Sequence, residues 1–69
     1  MNQDYIDRAF KYHAPKGDQP QRYSELRSWA RSLADKIDVF CPDSNEKRIA
    51  FEKLEECVMW ANAAIARNE

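Results

Sequence analysis

The chain has 69 residues, a single glycine, three prolines and a formal net charge of −1. At that length it forms one domain, spanning residues 1–69, and buries only about 60% of the surface its unfolded form exposes. With 43% hydrophobic residues it is too apolar to be disordered, and no apolar run approaches a membrane span.

Asp4 and Asp7 interrupt any signal-peptide pattern, so a soluble, cytoplasmic protein is expected. The lone glycine leaves little material for hairpin turns, which argues against strands. The near-neutral total conceals an asymmetry. Between Arg8 and Arg31 six basic residues face two acidic ones, whereas from Ser32 onward five face eight. An anionic partner should therefore meet the N-terminal half.

The first predicted helix runs from about Gln3 to Tyr12, with Ile6, Ala9, Phe10 and His13 at helical spacing. Pro15 and Gly17 end it. Asp18 can cap a second helix, with Pro20 in its first turn. There Leu26, Ala30, Leu33, Ile37 and Phe40 predict an apolar seam about 30 Å long. Pro42 stops that helix.

Asp43 and Glu46 suggest a capping box for a third helix, where Ala50, Leu54, Cys57, Ala61 and Ala64 repeat the same spacing. Phe51, Val58 and Ile65 flank that line. The short Cys41–Asn45 link makes the two long helices an antiparallel hairpin. The expected fold is therefore all-α: a short N-terminal helix followed by a long helical hairpin.

The third helix is more apolar than one partner requires, since nine of the twelve residues from Leu54 to Ile65 are apolar. Met59, Trp60 and Ala63 lie away from the predicted seam. A helix that is apolar on several faces is buried on several faces, so a homo-oligomer is expected. Self-association would also supply the extra stability that so small a chain needs.

Cys41 and Cys57 form an even pair. Helix rise separates them by about 15 Å across the hairpin, too far for a disulfide, so two buried reduced thiols are expected. One histidine and two distant cysteines give no metal site. Only His13 could act as a base near neutral pH, and no nucleophile is spaced beside it, so no catalysis and no cofactor are expected.

Phe10-Lys11-Tyr12-His13-Ala14-Pro15-Lys16, followed by Arg22, Tyr23, Arg27 and Trp29, interleaves rings with cations. Rings stack on nucleobases and cations meet phosphates. Equally, Phe10, Tyr23 and Trp29 could be core anchors and the cations merely solvated. Duplex DNA binding is disfavoured, because phosphate contacts supply most of its affinity and the total charge is negative.

The run from Arg8 to Tyr23, RAFKYHAPKGDQPQRY, and the run from Leu54 to Arg67, LEECVMWANAAIAR, resemble the phage anti-CBASS sponge family. The helical-hairpin domain of that family is shared with a Thoeris anti-defence protein. The resemblance implies sequestration, without degradation, of immune-signalling nucleotides in the cytoplasm of an infected bacterial host. It implies cyclic dinucleotides such as 3′,3′-cGAMP as ligands, with cyclic trinucleotides in separate pockets and cyclic ADP-ribose isomers in the wider family. It also implies a homohexamer.

Carried over by position, Tyr12 resembles the aromatic that stacks on a base, and His13 the polar residue beside it. Arg27 stands where a family cation meets phosphate. Ser28 and Arg67 match positions of the trinucleotide pocket. Charge and location add Lys16. Trp29 is bulkier than the small residue usual in the family. The alternative function is an oligomeric helical protein that acts through protein contacts and binds no nucleotide.

Overall fold

The computed structural model describes all 69 residues and contains three helices and no strand. They are α1 (Gln3–Phe10), α2 (Gln19–Phe40) and α3 (Asn45–Asn68). The Asn2 side chain caps α1 by accepting from the main-chain N–H of Asp4 at 2.7 Å and of Tyr5 at 3.3 Å. The helix ends at Phe10, two residues before the predicted Tyr12, because Lys11 turns extended at ψ 145°. Tyr12 and His13 therefore stand in a loop rather than on a helix face.

Gly17 closes that loop at φ +56°, a left-handed conformation that glycine adopts without Cβ strain. Asp18 occupies the N-cap position of α2 with Pro20 in the first turn, as the sequence predicts. Its carboxylate makes no capping bond, however, and pairs with Arg22 at 3.2 Å. At the far end the predicted Asp43–Glu46 box is replaced by Ser44. The Ser44 hydroxyl accepts from the Lys47 N–H at 3.1 Å and donates to the Pro42 carbonyl at 3.0 Å. Asp43 binds the Lys47 ammonium instead, at 3.1 Å.

The helices α2 and α3 pack as the expected antiparallel hairpin: Arg22 meets Glu69 at one end and Asp38 meets Lys47 at the other. The seam is rotated from its predicted line. On α2 the half-buried apolar positions are Tyr23, Leu26, Ala30, Ala34 and Ile37, continued by Cys41 just beyond its end, while Leu33 and Phe40 are exposed. A straight helix of 3.6 residues per turn drifts off a strict seven-residue repeat, which moves the contact from 33 to 34 and from 40 to 41.

On α3 the contact follows Phe51, Leu54, Val58, Ala61 and Ile65, and Cys57 and Ala64 face out. Phe51, Val58 and Ile65 offer more apolar area than Cys57 and Ala64, so the helix turns that row inward. Both cysteines are free, but neither is buried as expected: Cys41 is half-buried and Cys57 exposed. Phe10 and Trp29 are also exposed and anchor no core.

The molecule measures 44 × 30 × 12 Å, so it is one helix thick. A single layer cannot enclose side chains, and no apolar residue is fully buried. Trp29, Val39, Phe40, Met59 and Trp60 are left in solvent. The short α1 packs against the end of α3 and leaves α2 alone. That placement brings the loop after α1 to the open end of the hairpin.

Candidate functional site

The site emerges from the ion pairs the chain makes and from those it does not make. Arg22, Arg31, Lys47, Arg48 and Lys53 each bind at least one carboxylate. Arg8, Lys11, Lys16, Arg27, Lys36 and Arg67 bind no side-chain carboxylate. Lys36 lies over the Phe40 ring, 5.6 Å from its centroid. The other five all border two adjoining hollows at the open end of the hairpin.

The larger hollow, about 570 Å³, is bordered by Arg8, Lys11, Tyr12, His13, Lys16, Arg67 and Glu69. Its cations come from three places: the last turn of α1, the loop, and the last turn of α3. Glu69 is the sole acid there, and Arg22 holds its carboxylate through both terminal nitrogens at 2.9 and 2.5 Å. The Gln19 amide donates to the same carboxylate at 3.0 Å. Arg22 and Gln19 hold the Glu69 carboxyl down at about 2, and Glu69 and Asp18 raise Arg22. The charge of Glu69 is thus already balanced by Arg22, with Lys16 beside it, and Arg8, Lys11 and Arg67 are left in excess around the hollow.

The smaller hollow, about 440 Å³, is bordered by His13, Tyr23, Arg27, Asn62 and Arg67. His13 and Arg67 belong to both. The His13 ring donates through Nε2 to the Arg8 carbonyl at 2.8 Å, since a carbonyl oxygen can only accept. In the neutral ring this leaves Nδ1 free to accept. The Arg67 guanidinium lies 5.7 Å from the Trp60 ring centroid, a cation–π contact that fixes it beside the hollows. Asn62 Oδ1 is buried without a hydrogen-bond partner, a vacancy worth about 1–3 kcal/mol to any donor that fills it.

Lys16 is held twice. Its main-chain N–H donates to Gln19 Oε1 at 3.1 Å, and its ammonium donates to the main-chain oxygen of Glu69 at 2.6 Å. Arg8 donates to Asn68 Oδ1 at 3.2 Å, a neutral acceptor that leaves its charge uncompensated. The Tyr12 ring is 82% exposed beside these cations, so both of its faces are open to a stacking partner.

The fold thus gathers Tyr12, His13, Lys16 and Arg67 around one hollow. Arg27 borders the second hollow, with His13 and Arg67 but without Tyr12. Ser28 is exposed and borders neither of these hollows, and neither does Trp29. Each residue advances about 100° around a helix, so the two following Arg27 leave the face that meets α3.

Sequence reading placed Lys11 in the ring-and-cation run without a role of its own, and missed Arg8 and Asn62 as members of the site. Arg8 and Lys11 are i, i+3 neighbours within the basic half, a signal that was present. Asn62 lies in an alanine-rich stretch and gives no such signal. Nowhere do three His, Cys, Asp or Glu side chains gather as metal ligands, and no helix is long and apolar enough to cross a membrane.

No curated protein and no solved structure shows a match to the chain. A family model, Acb2/Tad1 hairpin domain, matches residues 2–66. The match spans α1, the cationic loop, α2 and all but the last residues of α3, leaving Arg67, Asn68 and Glu69 beyond it. The chain therefore belongs to the Acb2/Tad1 hairpin-domain family, that of the anti-CBASS sponges and Thoeris anti-defence proteins.

Proposed function

We propose that this protein is a sponge for cyclic dinucleotide immune signals such as 3′,3′-cGAMP. It binds them without chemical change in the cytoplasm of an infected bacterial host and so keeps CBASS effectors inactive. The observation that carries this reading is the gathering of five cations without a side-chain carboxylate partner around two hollows that share His13 and Arg67. A cyclic dinucleotide carries two phosphodiester charges and two bases. The open Tyr12 ring offers a base a stacking surface, and Arg8, Lys11, Lys16, Arg27 and Arg67 offer phosphates charge-assisted hydrogen bonds. Hollows of a few hundred Å³ suit a ligand of that size.

The chain acts as a binder, not an enzyme. The His13 Nε2 proton is committed to the Arg8 carbonyl, and no serine, cysteine or carboxylate side chain is hydrogen-bonded to the ring as a nucleophile would be. The working form is a homo-oligomer, a hexamer as the family resemblance implies. The uncovered Trp29, Met59 and Trp60 support this reading, because a one-layer chain leaves them in water. In that assembly Ser28 and Arg67 would serve a separate pocket for cyclic trinucleotides. Cyclic ADP-ribose isomers are a further ligand class to test.

A thermal-shift panel of cyclic di- and trinucleotides and cyclic ADP-ribose isomers tests the reading. A tight ligand must raise Tm, by about 2.7 kcal/mol of added stability at a hundred times Kd. Heating the complex should then release intact nucleotide, and linear products would mean an enzyme. An unmoved Tm across the panel, with a mass six times that of the chain, would favour the protein-contact alternative.

A further inference from the structure

We propose that Gln19 and Glu69 are positioning residues, a clasp that holds the anion-binding loop in its binding shape. The proposal rests on the nucleotide-binding reading and deepens it. Residues 12–18 donate no hydrogen bond from their own N–H groups to another main-chain group. Apart from one main-chain bond, from the Gln19 N–H to the Lys16 carbonyl at 3.0 Å, side chains fix the loop that carries Tyr12, His13 and Lys16. On one flank His13 donates to the Arg8 carbonyl. On the other, Gln19 does the work.

Gln19 is the one buried residue of the chain, at 4% exposure. Its amide is used at both ends. Oε1 accepts the Lys16 N–H, and Nε2 donates to Glu69 Oε1. Glu69 is held in turn by Arg22, and its main-chain oxygen takes the Lys16 ammonium. One amide thus ties the loop, the start of α2 and the end of α3 together. A buried polar group in so thin a molecule persists because both ends of its amide are hydrogen-bonded. Holding the loop before the ligand arrives lowers the ordering cost of binding.

Glu69 has an opposite reading, as an anion that merely repels the ligand. Charge reversal separates the two. Under the clasp, Glu69→Arg breaks the Arg22 and Gln19 bonds and weakens 3′,3′-cGAMP binding, although it makes the hollow more positive. The paired Arg22→Glu/Glu69→Arg variant regains part of the loss. Under repulsion alone, Glu69→Arg tightens binding, and that result would overturn the proposal.

Gln19→Leu removes the tie without any change in charge. It should speed amide hydrogen exchange at Lys16 in the ligand-free protein and weaken 3′,3′-cGAMP binding about fivefold, the usual effect of one lost hydrogen bond. Helix content and oligomeric mass should stay as they are. If Gln19→Leu does not fold, Glu69→Gln, which keeps Gln19 in place, gives the exchange readout. Unchanged Lys16 exchange in the folded variant would reject the clasp. Failure of the unmodified chain to bind 3′,3′-cGAMP would reject the nucleotide reading alone, because exchange in the ligand-free protein judges the clasp in either case.

Discussion

The two ends of the hairpin, about 30 Å apart along α2, treat positive charge in opposite ways. At the turn end Lys47 is nearly enclosed and meets Asp38 at 3.2 Å and Asp43 at 3.1 Å, and it also donates to the Asp38 carbonyl. Arg48 pairs with Glu52, and Lys53 with Glu56 at 3.0 Å. Those cations spend their charge on closing the turn and dressing α3. At the open end Arg8, Lys11, Lys16 and Arg67 share one hollow with no side-chain carboxylate of their own. What differs between these two groups is whether a side-chain carboxylate already neutralises them, although Arg22 at the open end is paired and Lys36 near the turn meets only the Phe40 ring. Total charge therefore says little about anion binding, and pairing says much.

The largest expected break in this contrast is Lys11→Glu combined with Arg67→Glu. That change reverses the excess in the main hollow and should weaken 3′,3′-cGAMP binding at least a hundredfold, about 3 kcal/mol by calorimetry. Next comes Tyr12→Ala, which removes the stacking surface and should cost about 1–3 kcal/mol, roughly tenfold or more. Arg27→Ala should cost about 1.5–3 kcal/mol if phosphate reaches the second hollow, with the oligomer intact by light scattering.

Acid gives a smaller and different signature. The Glu69 carboxyl lies at about 2 in the folded chain against an ordinary 4.5. Between those values the unfolded chain binds the extra proton, so Glu69 stabilises the fold above about pH 4.5 and loses that contribution as pH falls toward 2. Tm should drop across this window in the unmodified chain, and less in Glu69→Gln. Lys47 is displaced upward by Asp43 and Asp38, so its contribution holds below its ordinary 10.5 and is lost at higher pH. The smallest effect belongs to Arg48→Ala, which should leave nucleotide affinity within about twofold, since its exposed pair lies far from the hollows.

Much of this was legible in the residues. Pro15, Gly17, Pro42 and the apolar periodicity set three helices and their order, because proline and glycine act locally. The seam was legible only approximately: a strict seven-residue repeat points to Leu33 and Phe40, whereas the helix turns Ala34 and Cys41 to its partner. The aromatic and cationic run gave Tyr12, His13 and Lys16 as neighbours, since a short loop keeps them together. It could not give the role of Gln19 or Glu69. Fifty residues separate those two, and only the register of the α2–α3 hairpin makes the start of α2 meet the end of α3. Nor does sequence tell a paired cation from a free one, because pairing depends on which faces come together.

Calorimetric titration of 3′,3′-cGAMP into three proteins tests the central claim most directly: the unmodified chain, Lys11→Glu/Arg67→Glu, and Arg48→Glu as a turn-end counterpart. Saturable binding by the first and third, with at least a hundredfold loss in the second, is the predicted result. Equal weakening by the open-end and turn-end variants, or no binding by the unmodified chain, would contradict the assignment of the unpaired cations as the ligand site.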